Sequence, residues 1–140
     1  MALYPSQEWC DEWKTAINND EAIAKTGKKW GVGFNGDWLF IIKPGDGLEE
    51  TAYVYLQAAE GKCSDARILD DSPVDEPGFI VTGSYADFKS VVKGDKDFLV
   101  LVVKGTFKLQ GDMTKIMMNA KFVRAVANSI SSFQSEFLGE

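Results

Sequence analysis

GTFKLQGDMTKIMM, residues 105–118, places a strand directly before a helix. Apolar and polar side chains alternate over residues 105–111, which predicts a short strand with Phe107 and Leu109 on one face. Asp112 is then placed to cap a helix, because aspartate accepts hydrogen bonds from the free N–H groups of a first helical turn. This strand-to-helix step decides how the second half of the chain folds.

Three of the four methionines of the chain lie in residues 113–118. At helical spacing, Met113 and Met117 share a stripe with Ile116, whereas Met118 points elsewhere. Methionine is flexible and polarisable, so it fills gaps in a core and equally suits the wall of a site for ligands of variable shape. The pattern alone leaves both interpretations open.

The first 27 residues predict two helices. Ser6 is placed to cap a helix whose apolar residues recur every three or four positions. Asn and Asp at residues 18–20 favour a break and a restart, and Gly27 then ends a second, short helix. The apolar stripe of the first helix consists of Trp9, Cys10, Trp13, Ala16 and Ile17.

Residues 30–82 are rich in β-branched and aromatic side chains between turn residues, which predicts an antiparallel meander of about five strands. Asn35-Gly36 is the strongest hairpin signal in the chain, since both residues tolerate the positive φ of a two-residue turn. The predicted strands cover residues 30–34, 37–43, 51–60, 62–69 and 79–82.

Ser84 and Asp87 form a capping pattern that predicts a helix, which Gly94 ends. The next apolar run, FLVLVV at residues 98–103, fits two structures. Its β-branched residues are typical of a buried strand, whereas Asp95 can equally cap a short buried helix. The residues themselves do not choose between the two.

The last part of the chain predicts an amphipathic helix that runs nearly to the end. Its apolar positions are Phe122, Val126, Ile130, Phe133 and Phe137. With no internal repeat, the 140 residues predict one domain over residues 1–140. The order of helix, meander, helices, strand and helices predicts an α+β fold with helices on one face of a sheet.

Composition argues against several classes of function. The chain has 15 Lys and Arg residues and 21 Asp and Glu residues, which gives a net charge of −6. A protein of this charge repels nucleic acids. The longest apolar run, residues 98–103, is far shorter than the roughly 20 residues of a membrane-spanning helix. The start, MALYPSQEWCDEW, lacks the pattern of a signal peptide, so we expect a cytoplasmic location.

Little in the sequence favours catalysis. The chain has no histidine, and its two cysteines, Cys10 and Cys63, are too few for a four-thiolate metal site. Cys10 lies on the apolar stripe of the first helix, so we predict a buried side chain and not a nucleophile. We therefore expect no enzymatic activity, no metal and no cofactor.

Two further patterns have ordinary structural interpretations. GVGFNG at residues 31–36 matches the glycine spacing of a dinucleotide loop, but that loop precedes a helix and the segment here precedes a predicted strand. Acidic pairs at residues 49–50, 70–71 and 75–76 lie in or beside turn-rich segments without the ladder of a calcium loop. We predict a tight hairpin at the glycines and solvated loops at the acidic pairs.

GTFKLQGDM at residues 105–113, followed by an apolar helix, resembles the G-K-L-K-I-K-G-D-M signature of the sterol carrier protein 2 (SCP-2) domain family. The helix-Gly-helix segment at residues 85–104 resembles the one that this family places before its last strand. The N-terminal helix, the meander and the C-terminal helix are similar as well. The likeness covers nearly the whole chain. Departures from the family pattern, among them Thr106 and a long acidic loop at residues 70–78, favour a prokaryotic-type, stand-alone lipid carrier.

The resemblance implies a five-stranded, mainly antiparallel sheet covered on one face by helices, with an apolar tunnel between the layers. It implies that residues 95–103 are a helix and that the tunnel binds fatty acid, fatty acyl-CoA or sterol-like lipids without catalysis. It also allows transient membrane contact and a homodimer; the alternative is a closed core in an interaction or dimerisation module. The implied lipid-binding residues are Phe98, Leu101, Val102, Phe107, Met113, Ile116, Met117, Phe122, Ile130 and Phe133.

Overall fold

The computed structural model of the protein describes residues 1–71 and 77–140. The strands in these ranges are β1 (Ala2–Tyr4), β2 (Trp38–Lys43), β3 (Ala52–Ala59), β4 (Lys62–Leu69), β5 (Phe79–Ser84), β6 (Lys108–Gln110) and β7 (Ser135–Phe137). The helices are α1 (Gln7–Asn18), α2 (Glu21–Thr26), α3 (Tyr85–Val92), α4 (Phe98–Lys104), α5 (Met113–Met118) and α6 (Ala120–Ser129). Helices α1, α2 and α3 lie close to where the sequence predicts them, each capped by a polar side chain.

Five strands form the main sheet, in the order β4-β3-β2-β5-β6. Neighbouring strands pair antiparallel except β2 and β5, which pair parallel with Trp38 opposite Phe79. This parallel pair places β5 beside β2 and not beside β4, so the strands are not a simple meander. The predicted α+β class, with a five-stranded and mainly antiparallel sheet, is confirmed.

One face of the main sheet carries the helices. Phe40 of β2 and Val54 of β3 lie opposite each other in the register and point to the same side. On that side the ring of Phe40 contacts Trp13 of α1 and Phe98 of α4, with ring centroids 5.9 Å and 6.3 Å away. The apolar core therefore lies between this face and the helix layer.

Helix α1 covers the outer edge of β4 through two side-chain amides. Gln7 donates from Nε2 to the carbonyl oxygen of Ala66 (3.1 Å) and accepts at Oε1 from the backbone N–H of Ile68 (3.0 Å). Asn18 donates from Nδ2 to the Cys63 carbonyl oxygen and accepts at Oδ1 from the Cys63 N–H, both at 2.8 Å. Because a bare edge strand can pair with another chain, the two amides take the place of a neighbouring strand.

Two short strands outside the main sheet join the two ends of the chain. β1 and β7 pair in parallel, with Tyr4 opposite Phe137. The predicted helix that runs nearly to the end is therefore wrong beyond Ser129, where α6 ends and a 3₁₀ turn covers Ile130–Ser132. The apolar spacing continues past this point, but the backbone there pairs with the other end of the chain and becomes extended.

The predicted hairpin at Asn35-Gly36 is wrong. Residues 30–34 form turns and bends, and β2 begins only at Trp38. Gly31 and Gly33 take φ values of 79° and 81°, which an extended strand does not contain. The fifth strand of the main sheet is β6 instead.

The open choice between strand and helix in the run FLVLVV is resolved in favour of a helix, as the family resemblance implies. Helix α4 is capped by Asp97, whose carboxylate accepts from the Val100 N–H at 3.1 Å, and not by Asp95. It ends at Gly105, which has a left-handed φ of 81°. A cap on each side thus confines the apolar run to seven helical residues.

The strand-to-helix step at residues 105–118 is present, with a shorter strand than predicted. Only Lys108–Gln110 of residues 105–111 form β6 and pair with β5. Asp112 caps α5 as predicted, because its carboxylate accepts from the Thr114 N–H at 2.9 Å.

The acidic pairs at residues 49–50 and 70–71 are exposed, as predicted for solvated loops. The third pair, at residues 75–76, lies outside the described residues.

Candidate functional site

An apolar cavity of about 60 Å³ lies between the helices and the main sheet. Side chains from both layers, from Tyr4 near the start of the chain to Ile130, form its wall, and none of these side chains is a Lys, Arg, Asp or Glu. The wall consists of Tyr4, Trp9, Trp13, Trp38, Phe40, Val54, Leu56, Ala58, Phe88, Val91, Val92, Phe98, Phe122, Val123, Val126, Ala127 and Ile130.

Alternate residues of two neighbouring strands form the floor of the cavity. Trp38 and Phe40 of β2 lie opposite Leu56 and Val54 of β3, and Ala58 continues the same face of β3. Successive side chains of a strand point to opposite faces, so these five positions share one side of the sheet. The floor thus follows directly from the strand pattern of the sequence.

Four helices form the roof, and α1 contributes Trp9 and Trp13 to it. Helix α6 contributes four residues between Phe122 and Ala127, spaced so that they share one face of the helix. Helix α3 contributes three residues between Phe88 and Val92 in the same way. Helix α4 contributes a single side chain, Phe98. Most of the roof is therefore made by α3 and α6.

Two tryptophans of α1 connect the cavity wall to the last part of the chain. The indole N–H of Trp9 donates to Oγ of Ser135 at 2.9 Å, and that of Trp13 donates to Oγ of Ser129 at 3.2 Å. Both polar groups are therefore satisfied within the protein, and the apolar parts of the rings remain for the cavity.

Tyr4 brings a hydroxyl group into the apolar wall. Its ring is held by Trp9, Tyr85 and Phe137, with ring centroids 4.6, 6.0 and 6.4 Å away. Burial raises the pKa of the Tyr4 hydroxyl well above its ordinary value, so this group stays neutral at physiological pH.

A cluster of charges fixes the end of the chain against α3 and the turn between β2 and β3. Glu140 accepts from Nζ of Lys93 at 2.8 Å and from Nζ of Lys89 at 2.9 Å, and Lys89 also pairs with Asp46. Hydrogen bonds from Lys93 and Lys89 lower the pKa of Glu140. Those from Lys89 to Asp46 and Glu140 raise the pKa of Lys89. None of these four residues belongs to the cavity wall.

Both cysteines are buried, as predicted for Cys10, and neither belongs to the cavity wall. Burial raises the pKa of Cys10 to about 12 and that of Cys63 to about 11. Both side chains are therefore neutral thiols at physiological pH, which are weak nucleophiles.

Of the ten lining residues predicted from the family resemblance, three lie in the cavity wall: Phe98, Phe122 and Ile130. The other seven lie outside the wall: Leu101, Val102, Phe107 and Ile116 are buried, Met113 and Phe133 are half-buried, and Met117 is exposed. Contact of any of the ten with a lipid stays a prediction.

The predicted inward stripe of α5 is right at Ile116 and wrong at Met117. Ile116 is fully buried and Met113 is half-buried, but 51% of Met117 is exposed. Helix α5 has only six residues and packs on α6, so it buries a narrower stripe than the spacing of the sequence predicts. Met118 is exposed as well.

Sequence reasoning missed most of the cavity wall, although the signals were present. Trp9 and Trp13 lie on the predicted apolar stripe of α1, and Trp38 and Phe40 are alternate residues of a predicted strand. Each pattern shows which side of an element is buried. It does not show whether that side faces solid core or a cavity, since this depends on how distant elements meet.

The fold and the cavity define a class of protein: an α+β domain with an uncharged, apolar space between sheet and helices, which suits a hydrophobic ligand. The sequence profile of the SCP-2 sterol transfer family matches residues 33–124, and the chain belongs to this family. The resemblance noted in the sequence is confirmed. In residues 1–71 and 77–140, no helix has the length and apolar character that crossing a membrane requires.

Solved structures of sterol carrier proteins share the fold. A crystal structure of sterol carrier protein 2 gives a TM-score of 0.81 at 18% identity, covering 92% of this chain and 98% of that one. A conserved hypothetical protein from Thermus thermophilus, described as possibly a sterol carrier protein, gives 0.81 at 17% identity, covering 96% and 92%. The apo form of sterol carrier protein 2 from Yarrowia lipolytica gives 0.57 at 19% identity, covering 88% and 89%. Among curated proteins, none matches the sequence.

Proposed function

We propose that the protein binds a hydrophobic lipid in the cavity and transfers it without catalysis. The observation that carries this proposal is a wall of seventeen uncharged side chains between the sheet and the helices. Membership of a lipid-transfer family supports a lipid as the kind of ligand. The proposed ligands are a fatty acid, a fatty acyl-CoA or a sterol-like lipid, and the proposed place of action is the cytoplasm.

The affinity for such a ligand comes from the transfer of apolar surface out of water. Each buried methylene contributes roughly 0.8 kcal/mol, so a chain of about 16 carbons gains on the order of 10 kcal/mol. Association entropy and ordering of the chain remove several kcal/mol of this gain. We therefore expect dissociation constants in the micromolar range.

A lipid needs more space than the cavity offers, because ordinary small-molecule pockets measure roughly 300–1,000 Å³. Helix α4 is the part of the wall best suited to move. It is seven residues long and lies between Gly94 and Gly105, which have positive φ values of 83° and 81°. It contributes only Phe98 to the wall. We expect α4 to shift outward when a lipid binds.

Two substitutions one residue apart on α6 test the proposal. Ala127 lines the cavity, whereas Asn128 is exposed. Ala127→Phe fills space that the lipid chain needs, so we expect about a tenfold loss of affinity for a fluorescent fatty acid, equivalent to about 1.4 kcal/mol. Asn128→Phe adds the same ring outside the cavity and should bind the probe like the unaltered protein.

Equal affinities in the two variants, both folded by circular dichroism, would contradict binding in the cavity. As a second test, denaturing extraction of the purified protein should release a bound lipid, which mass spectrometry would detect.

The small cavity also supports the alternative of a closed core in an interaction or dimerisation module. Sedimentation velocity over a range of protein concentrations separates the two functions when it is combined with the probe titration. A monomer that binds the probe to saturation supports the carrier. A dimer without saturable binding supports the interaction module.

We also propose transient contact with anionic membranes through the outer side of α4, α5 and α6. Residues 98–128 hold five cations and one carboxylate, a local net charge of +4 in a chain of net charge −6, so the rest of the chain carries −10. This segment is therefore one that anionic lipids would attract. Its cations are Lys104, Lys108, Lys115, Lys121 and Arg124.

Exposed apolar side chains accompany these cations. Val103 of α4 is 63% exposed and Met118 of α5 is 76% exposed, and both helices pack on α6. Basic residues beside exposed apolar ones are typical of surfaces that lie at a lipid interface.

Cosedimentation with vesicles tests this contact. Binding to vesicles that contain phosphatidylserine should fall several-fold in Lys104→Glu/Lys121→Glu. It should fall much less in Lys25→Glu/Lys62→Glu, which changes net charge equally outside the segment. The same loss in both double variants would mean that overall charge, and not this face, governs binding.

A further inference from the structure

An ion pair on the surface connects helices α4 and α6. Nε of Arg124 lies 3.6 Å from Oδ2 of Asp97. Arg124 is a residue of α6, and Asp97 caps the first turn of α4. The pair therefore joins the start of α4 to the helix on which α4 packs.

Both partners of the pair are next to side chains of the cavity wall. Asp97 directly precedes Phe98, the one side chain that α4 contributes to the wall. Arg124 directly follows Phe122 and Val123, which are wall residues of α6. The wall residues are buried, whereas the side chains of Arg124 and Asp97 are 54% and 45% exposed. The charges thus lie on the outer side of the roof, directly beside residues that line the cavity.

The pair opposes the outward shift of α4 that we expect when a lipid binds. Oδ1 of Asp97 accepts from the Val100 N–H at 3.1 Å, so this carboxylate moves together with α4. A shift of α4 away from α6 would separate Asp97 from Arg124. Because both side chains are exposed, their attraction is weak, and another ion can replace either partner.

An anionic lipid head is a strong competitor for Arg124. A phosphate group can accept two parallel hydrogen bonds from one guanidinium. The contact with Asp97 is weaker, because 3.6 Å is longer than a direct hydrogen bond. Arg124 is also one of the five cations in the segment for which contact with anionic membranes is proposed. A membrane that attracts this segment therefore brings phosphate groups to Arg124.

We propose that the pair of Arg124 and Asp97 is a latch that an anionic lipid surface opens. The proposal rests on the proposed function, since it describes how access to the same cavity is regulated. Away from a membrane, the pair holds the start of α4 against α6, and the cavity retains its lipid. At the membrane, Arg124 binds a phosphate group instead of Asp97, and α4 is free to shift while lipid enters or leaves.

Asp97→Asn tests the latch, with Asp95→Asn as the matched control. Asparagine also caps helices, so Asp97→Asn removes the charge and keeps the start of α4. Asp95 is exposed two residues earlier, so Asp95→Asn changes the charge of the same loop equally. In stopped-flow measurements without vesicles, Asp97→Asn should bind a fluorescent fatty acid about two- to fivefold faster than the unaltered protein, as expected for the loss of one exposed ion pair. Asp95→Asn should bind at the unaltered rate.

Uptake of the same fatty acid from vesicles tests the trigger. Phosphatidylserine in the vesicles should accelerate uptake by Asp95→Asn and by the unaltered protein. In Asp97→Asn this acceleration should be about two- to fivefold smaller, because the latch is already open. Cosedimentation should show equal vesicle binding by the two variants, since both keep Arg124 and carry the same net charge.

Arg124→Gln breaks the pair from the other helix. It should bind the fatty acid in solution as fast as Asp97→Asn, which keeps the test decisive if Asp97→Asn weakens α4.

The other outcomes contradict the latch. Solution rates that are the same in Asp97→Asn, Arg124→Gln and Asp95→Asn, with saturable binding in each, would overturn it and leave the carrier function standing. Equal acceleration of Asp97→Asn and Asp95→Asn by phosphatidylserine would overturn its opening by the membrane. An unaltered protein without saturable binding of the fatty acid would overturn the carrier function and this proposal together.

Discussion

Helices α1 and α4 both line the cavity, but they are held in different ways. Four hydrogen bonds join Gln7 and Asn18 of α1 to the edge of β4. Two more join the indoles of α1 to serines in the last part of the chain. Helix α4 has apolar side chains apart from Lys104, and within the described ranges they form no hydrogen bond to another element.

Because of this difference, we regard α1 as the fixed wall of the cavity and α4 as its adjustable wall. Hydrogen bonds need short distances and aligned partners, so α1 cannot shift without losing them. Apolar packing is non-directional, so α4 can slide and repack while its surface stays buried. A site that changes volume on binding needs both kinds of wall, one that keeps the fold and one that yields.

The largest expected effect concerns the fixed wall. Trp13→Ala removes a buried indole and leaves the Ser129 hydroxyl without its donor, so we expect a loss of about 3–5 kcal/mol in the free energy of unfolding, measured in urea. Thr15→Ala, an exposed position of the same helix, should change it by less than about 0.5 kcal/mol. A loss below about 1 kcal/mol for Trp13→Ala would break the comparison, because α1 would then be no firmer than a surface helix.

The next effect concerns the edge of β4. Asn18→Ala removes both hydrogen bonds to Cys63, which should lower the free energy of unfolding by about 1–3 kcal/mol. Asn128→Ala, an exposed asparagine of α6, serves as the control and should be nearly neutral. If the two variants unfold at the same urea concentration, the amide contacts do not stabilise α1.

A smaller effect sharpens the role of α4 as the adjustable wall. Gly105 and Gly33 share a φ of 81°, so an alanine at either position should cost about 1–2 kcal/mol in stability. Only Gly105 ends α4, and we expect Gly105→Ala to change the rate at which a fluorescent fatty acid binds in stopped-flow measurements. A rate that changes as much in Gly33→Ala would argue against a hinge at Gly105.

The smallest effect concerns the charge cluster of Glu140, Lys93, Lys89 and Asp46. This cluster belongs to neither the fixed nor the adjustable wall of the cavity. Lys93 and Lys89 lower the pKa of Glu140, so the folded protein binds this proton less readily than the unfolded chain. The cluster therefore contributes stability above the ordinary glutamate pKa of about 4.3 and loses it as the pH falls through the lower folded pKa.

Melting temperatures from about pH 7 down to about pH 3 check this contribution. In Glu140→Gln the decline at acidic pH should be slightly shallower than in Glu136→Gln, which changes an exposed glutamate of β7. Superimposable curves for the two variants would show that the cluster adds no pH-dependent stability.

The parts of the fold that the sequence predicts well are those set by local chemistry. Ser6, Ser84 and Asp112 each cap the helix predicted for them, because a cap depends on residues within one turn. The run at residues 98–103 has no decisive local signal, and only its likeness to a family favours the helix.

The parts that the sequence predicts poorly depend on distant partners. Phe137 fits a helical spacing but lies in a strand because β7 pairs with β1 at the other end of the chain. Met117 fits an inward stripe, but 51% of it is exposed. The same limit applies to the cavity, where Trp9 and Trp38 are recognisable as buried but not as neighbours of an empty space.

The two amides at the edge of β4 also make the protein sensitive to chemical ageing. Deamidation of Asn18 would replace the Nδ2 donor by an oxygen, which then faces the Cys63 carbonyl oxygen without a hydrogen between them. The bond would turn into a repulsion, and the released edge could accept a strand from another molecule. Loss of one nitrogen atom on storage would thus link slow covalent damage to self-assembly.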